Sequence, residues 1–364
     1  MKKLLSIVLA VNVVALAAAL FVFRGGEKAE EKEFFNIPRN REKEVLEKLS
    51  LDQKIGQMFI IGFKEKKAAP ELEALIKELH PGGILLLSRN IESEEQLKEL
   101  TGFLQKIAME DSGLPLFIAV DQEGGPISRI NWMEDAPQSE INTKEQACLI
   151  GRRRGEQLKE LGVNLNLAPL LDISYPGDFI FDRTFKASAD LIKELGAGLI
   201  QGQKEAGIMT AIKHFPGYGG ISFNPEEKLA FAEGLPGFVH FQETAKAGAD
   251  MIMISNVVYK VLSEELPFSF LPAGIDLLNT DDYLIISDDL SQNSLLNNFS
   301  LKEIVSSPVK AGVNILIFSG WRSPVHEGIW ELQKAVEQGE VEEETINNSV
   351  LKIIKLKQEY FNLF

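Results

Sequence analysis

A chain of 364 residues has the length of one large α/β barrel or of two average domains. Apolar residues make up 45% and charged residues 25%, the balance of a globular chain with a sizeable core, which excludes intrinsic disorder. A net charge of -15 excludes a general phosphate-backbone binder, which needs a basic face, so nucleic acid is not an expected partner.

The chain opens with Lys2-Lys3 and an apolar run from Leu4 to Phe23, interrupted only by Ser6 and Asn12. That run is about the ~20 residues of a bilayer-spanning helix. A cleavable signal peptide has an apolar core of about 7–15 residues before a small-residue site, whereas Ala17-Ala18-Ala19 is followed by Leu20-Phe21-Val22-Phe23. Residues 1–24 therefore read as an uncleaved anchor, the alternative being a signal peptide and a secreted product. A charged linker at 25–38 follows, and 39–364 is expected to form one domain outside the cytoplasm, held to a membrane and monomeric.

Short apolar runs then alternate with amphipathic stretches, the pattern of parallel strands buried on both faces and crossed over by helices. The strand candidates are Met58–Phe63, Gly83–Leu87, Leu116–Asp121, Asn164–Pro169, Met209–Phe215, Asp250–Ser255, Tyr283–Asp288 and Val313–Phe318. Between the second and third, Glu95–Ile107 carries apolar residues three and four apart, as a helix covering a sheet should. Eight such units predict an α/β fold of the closed (β/α)8, TIM-type kind rather than an open sheet. Beyond the eighth strand the pattern leaves room for closing helices only.

Asp121, Lys213 with His214, and Asp288 each end a strand candidate on its C-terminal side, the edge of a barrel that carries active sites. Any one of them could merely cap a helix or face solvent; their convergence on one rim points to a site. In Ile285-Ile286-Ser287-Asp288-Asp289, an apolar run ends in two adjacent carboxylates, so one faces the mouth, where it can attack an electrophilic carbon, and one faces away. The glycines after Phe215-Pro216 suggest a mobile loop over the mouth. Asp121-Gln122-Glu123-Gly124-Gly125 adds acceptors, and Arg129 and Arg183 add donor forks unless they form a surface ion-pair network. Such a rim suits a neutral, hydroxyl-rich ligand.

The single cysteine, Cys148, excludes an intrachain disulfide and reads as a small buried residue. The four histidines, His80, His214, His240 and His326, show no metal-ligand spacing, and neither a Gly-x-Ser-x-Gly elbow nor a Gly-x-Gly-x-x-Gly turn after a strand is present. No metal and no cofactor is expected.

Six stretches occur in order: Leu49-Ser50-Leu51-Asp52-Gln53-Lys54-Ile55-Gly56-Gln57-Met58, Ser88-Arg89-Asn90-Ile91-Glu92, Val120-Asp121-Gln122-Glu123-Gly124-Gly125, Asn164-Leu165-Asn166-Leu167-Ala168-Pro169, Lys213-His214-Phe215-Pro216-Gly217 and Ser287-Asp288-Asp289-Leu290-Ser291. With them the chain resembles glycoside hydrolase family 3, in particular its single-domain bacterial β-N-acetylglucosaminidases acting on peptidoglycan fragments. The resemblance implies a TIM-type barrel, an amino-sugar glycan as substrate, a retaining mechanism with Asp288 as nucleophile, and Asp121, Arg129, Arg183, Lys213 and His214 as residues that hold the sugar.

The loop after Lys213-His214-Phe215-Pro216-Gly217 departs from that pattern. The family carries His-Gly and then Asp-Ser-His, whose Asp–His pair transfers the proton; here stand Tyr218, Asn224 and Glu226. Asn256 and Gln292 also replace a common His and Met, which bears on the preference for an N-acetyl group. Three readings follow: Glu226 or Glu227 acts as an ordinary carboxylic acid, the chain binds glycan without turning it over, or the leaving group needs little acid. Glu226 could alternatively do no more than begin an exposed helix.

Overall fold

The computed structural model describes residues 41–278, 282–320 and 324–363, so the segments read as anchor and linker lie outside the described residues. Among the described residues, no helix is long and apolar enough to cross a membrane.

The eight apolar runs form eight parallel strands: β1 Phe59–Ile61, β2 Gly83–Leu86, β3 Phe117–Val120, β4 Leu165–Asn166, β5 Met209–Phe215, β6 Met251–Ile254, β7 Leu284–Asp289 and β8 Ile315–Phe318. They close into a barrel in sequence order, β8 pairing in parallel with β1. Closure leaves no open edge, and Gly83-Ile84-Leu85-Leu86 and Ile315-Leu316-Ile317-Phe318 are buried throughout, as strands between a filled interior and a ring of helices must be.

The helices obey local signals. Glu94–Asp111 is capped by Ser93, whose side chain accepts from the Gln96 amide, and its buried Leu97, Leu100, Leu104 and Ile107 repeat at three and four residues. The cap lies outside the apolar repeat, so the helix starts earlier than the repeat alone suggests. Ser300 and Glu303 make a reciprocal capping box at Leu301–Ala311, which ends at Gly312 with φ of 106°. Val325–Glu337 and Glu343–Phe361 close the described chain. Cys148, expected to be buried, is only half-buried on the helix Lys144–Glu160.

Three departures from regular pairing shape the mouth. The fourth strand shrinks to Leu165–Asn166 because Asn side chains do the work of the ladder: Asn164 Oδ1 accepts from the Ile118 amide at 2.9 Å and Asn166 Oδ1 from the Gln122 amide at 3.0 Å. Between Ile212 and Phe215 the register against Ile252 and Ile254 slips by one residue, and between Ile286 and Asp289 it slips likewise against Ile315 and Ile317. The first slip contains Lys213 and His214 and the second Asp288. A bulge re-aims the side chain it carries.

At the opposite end, Lys357 is fully buried with the Gln57 side chain as its hydrogen-bond acceptor, Nζ to Oε1 2.7 Å, and burial pulls its pKa down to about 7. Between that value and the ordinary ~10.4 the unfolded chain binds the proton that the folded chain lacks, so stability rises with pH across this window. Urea unfolding should therefore show wild type gaining on Lys357→Met as pH goes from 7 to 9.5; a pH-independent difference would contradict the assignment.

Candidate active site

A cavity of about 250 Å³ opens at the C-terminal end of the barrel. Its apolar lining includes Leu85 of β2, Leu167 just after β4, Met253 of β6 and Ile317 of β8, one side chain from each even-numbered position. The odd strands supply the polar lining: Asp121 directly after β3, Lys213 and His214 on β5, and Asp288 and Asp289 on β7. Alternation of layers between odd and even strands is the packing rule of this fold, here broken by charge only at the top.

A knot of four charges fills one wall. Lys213 Nζ, almost wholly buried, lies 2.7 Å from Asp121 Oδ1 and 2.6 Å from Glu123 Oε1. Arg183 forks onto Glu123, with Nη2 2.9 Å from Oε1 and Nε 3.1 Å from Oε2. Burial alone would raise the Asp121 carboxyl, but Lys213 and Arg129 outweigh it and hold it down at about 2. Burial works against Glu123 in the same way, and Arg183 and Lys213 bring it below the usual range. Gly124, at φ of 91°, lets the chain turn beneath Glu123, where an added Cβ would stand 2.1 Å from the Ala136 carbonyl oxygen. Buried Arg154 donates to the Glu123 carbonyl at 2.9 Å.

Asp172 is a second fixed point. Its Oδ2 accepts from the His214 amide and pairs with His214 Nδ1, both at 3.0 Å, and its Oδ1 accepts from the Tyr218 amide at 2.7 Å. Burial opposes its ionisation, yet His214 and these amides bring its pKa below the usual carboxylate value. Tyr218 then donates its hydroxyl to Asp288 Oδ2 at 2.6 Å. Burial first, and then the Asp288 charge, raise the phenol well above its ordinary value, so it remains a donor. Asp288 Oδ1 accepts from the Asp289 amide at 2.8 Å.

The neighbouring carboxylates do not part as expected, since both line the cavity, but they are bonded differently. Asp288 is held toward the mouth, while Asp289 is wrapped by Ser291 and Ser319, each giving an amide and a hydroxyl, at 2.5–3.1 Å. Burial nevertheless raises the Asp289 carboxyl.

No helix begins at Pro225; residues 225–227 form a turn. Asn224, in the place of the family's aspartate, builds that turn: its Oδ1 accepts from the Glu226 amide at 3.0 Å. The Glu226 carbonyl in turn accepts from the Ser294 amide at 2.9 Å, tying the turn to the segment after β7. Glu226 stands on the rim, open to water on one side and lining the cavity on the other. Partial burial, then the charges of Asp288 and Asp289, raise its carboxyl above the ordinary glutamate value. Glu227 does not line the cavity; its carboxylate receives the Asn224 side-chain amide at 3.4 Å.

All seven residues singled out from sequence, Asp121, Arg129, Arg183, Lys213, His214, Glu226 and Asp288, line this one cavity. Their bonding differs from expectation in two respects. Arg183 does belong to an ion-pair network, but one that faces the cavity. The stretch expected to be a mobile loop is fastened along its length, by Tyr259 Oη to the Gly217 carbonyl at 2.6 Å, the Gly220 amide to Asp178 at 3.0 Å and the Phe179 amide to the Ile221 carbonyl at 2.8 Å. Asp172 and Tyr218 were not foreseen as site residues, and Glu123 only as one of the acceptors in Asp121-Gln122-Glu123-Gly124-Gly125. Asp172 ends the apolar Leu170-Leu171 and carried the same signal as Asp121 and Asp288.

The model of the Glycosyl hydrolase family 3 N terminal domain matches residues 50–356. Beta-hexosaminidase LpqI of Mycobacterium tuberculosis is 27% identical over 335 residues, covering 85% of this chain and 83% of that protein. A Beta-hexosaminidase of Hydrogenovibrio crunogenus is 30% identical over 275 residues, covering 68% and 74%. Among solved structures, a glycoside hydrolase family 3 beta-N-acetylglucosaminidase from Paenibacillus superposes with a TM-score of 0.81 at 30% identity, over 86% of this chain but 63% of that longer one.

Removing Lys213 would leave Asp121 and Glu123 buried without their shared cation. Lys213→Met should cost about 3–5 kcal/mol at pH 7, the range for a broken buried pair. In wild type the carboxylates' contribution is present above their unfolded pKa values and is lost only as pH falls toward about 2 for Asp121. In the variant the stranded carboxylates take up protons earlier, so urea unfolding should show the deficit shrinking between pH 7 and pH 5; a constant deficit would contradict the charge-knot description.

Proposed function

The chain belongs to glycosyl hydrolase family 3, and from that premise we propose that it hydrolyses β-linked N-acetylhexosaminides with retention, Asp288 serving as nucleophile and Glu226 as proton donor and acceptor. Relatives named as beta-hexosaminidases support the substrate class. The observation that carries the assignment is the pairing, within one cavity, of a fixed carboxylate with a rim carboxyl whose pKa is raised. A carboxyl raised above its ordinary value suits a group that must hold a proton until it is delivered.

In the first step an oxygen of Asp288 attacks the anomeric carbon and the bond to the leaving oxygen breaks, that oxygen taking the proton of Glu226. In the second, water attacks the same carbon and gives a proton to the Glu226 carboxylate, and the electron pair of the ester bond returns to Asp288. Asp121, Lys213, Arg183, Arg129 and His214 form the wall against which the sugar hydroxyls lie. Relatives named as hydrolases lend no support to binding without turnover. An export segment at 1–24 would bring the barrel to cell-wall amino sugars.

The full chain should release phenol from aryl β-N-acetylglucosaminides. Asp288→Ala should abolish turnover. Glu226→Gln should lose about 10²–10⁴-fold on a phenol of high pKa and far less on an activated one. Since the acid must be protonated, the fall of kcat/KM at alkaline pH should follow Glu226 and flatten in that variant. Equal loss on both leaving groups, with the alkaline limb retained, would remove Glu226 from the role.

A further inference from the structure

Tyr218 stands where the resembling family carries histidine, and no step of the two-step displacement calls on it. Its hydroxyl nevertheless makes the shortest side-chain hydrogen bond to the proposed nucleophile, 2.6 Å to Asp288 Oδ2. The same oxygen accepts from the Asn256 amide at 3.3 Å, which directs the hydroxyl hydrogen toward the carboxylate. The residue is fixed from three further sides. Its amide is bound to Asp172, its ring packs edge-on against His214 with centroids 4.7 Å apart, and the preceding Gly217 carbonyl is held by Tyr259. A phenol so fixed keeps its place while the charge on the carboxylate changes.

We infer that Tyr218 is a positioning residue of the reaction, orienting the Asp288 carboxylate for attack and stabilising it as it departs from the anomeric carbon in the second step. This rests on the reading of Asp288 as nucleophile. A donor on a carboxylate favours the ionised form over the ester. During attack the Asp288 oxygen gives its electron pair to carbon, and the bond from Tyr218 weakens. During hydrolysis the ester C–O bond breaks, the pair returns to Asp288, and the bond from Tyr218 strengthens as water loses its proton to Glu226. The phenol itself exchanges no proton. Its loss therefore falls mainly on release of the sugar from Asp288, whereas a tyrosine that only fills space would affect binding and stability.

The test compares wild type, Tyr218→Phe, Tyr218→His and Asp288→Ala as full chains on an activated aryl β-N-acetylglucosaminide. For Tyr218→Phe, kcat should fall by about 10- to 100-fold, within the reach of one lost preorganised donor. KM should fall with it, so that kcat/KM changes much less, and acid-quenched samples should show the chain carrying the mass of one sugar. Tyr218→His, which restores a donor, should recover part of kcat, and it also serves if Tyr218→Phe does not fold. Unchanged kcat and KM, or a raised KM with no sugar-bearing chain, would overturn the role of Tyr218. Turnover by Asp288→Ala would instead overturn the reading of Asp288 on which it rests.

Discussion

A lysine ammonium buried between two carboxylates is the constraint around which the mouth of this barrel is organised. Taking Lys213, Asp121 and Glu123 out of water is costly, and only close, mutually satisfied contacts offset it. Those contacts exist because barrel closure sets β3 and β5 on either side of β4 and because a bulge turns Lys213 inward. Arg183 completes the arrangement from a loop far along the chain, balancing two negative charges with two positive ones. A wall built this way cannot relax far without stranding a charge.

The acids of the mouth consequently behave as different reagents. Asp121, Glu123 and Asp172 are held ionised by cations and amides and serve as scaffolding. Asp289 spends its oxygens on two serines. Asp288 and Glu226 are the cavity's carboxyl groups outside these ion pairs and serine contacts, one fixed by a phenol and an amide, the other raised above its ordinary value on the rim. On the proposed reading, one kind of functional group thus serves as both nucleophile and acid through its surroundings. The replacement of the family's Asp–His pair is coherent with the proposed reading, in which Asn224 shapes the turn and Glu226 would carry the proton.

Much of this was legible in the sequence because the signals are local. Eight apolar runs marked the strands, and charged residues ending Leu116–Asp121, Met209–Phe215 and Tyr283–Asp288 marked the rim. Asp172 carried that signal too, but a strand shortened by asparagine side chains hid where the run ended. The contact of Tyr218 with Asp288 was not legible, since it depends on the loop after β5 folding back onto β7, between residues 70 apart in the chain. Glycines suggested motion there, whereas hydrogen bonds from the Tyr259 hydroxyl and the Phe179 amide, and one from the Gly220 amide to Asp178, hold the loop down. Arg183 could be read either as a donor fork or as part of an ion-pair network because its partner lies 60 residues away.

The central proposal is Asp288 as the oxygen nucleophile at the anomeric carbon, and the most direct measurement is capture of the covalent intermediate. A slow, fluorinated β-N-acetylglucosaminyl fluoride that forms the ester faster than it is hydrolysed can be reacted with the full chain and the digest read by mass spectrometry. Label on the carboxylate of Asp288 within Ile285-Ile286-Ser287-Asp288-Asp289-Leu290 is the expected result. Label on any other residue, or an active chain that never acquires it, would contradict the assignment.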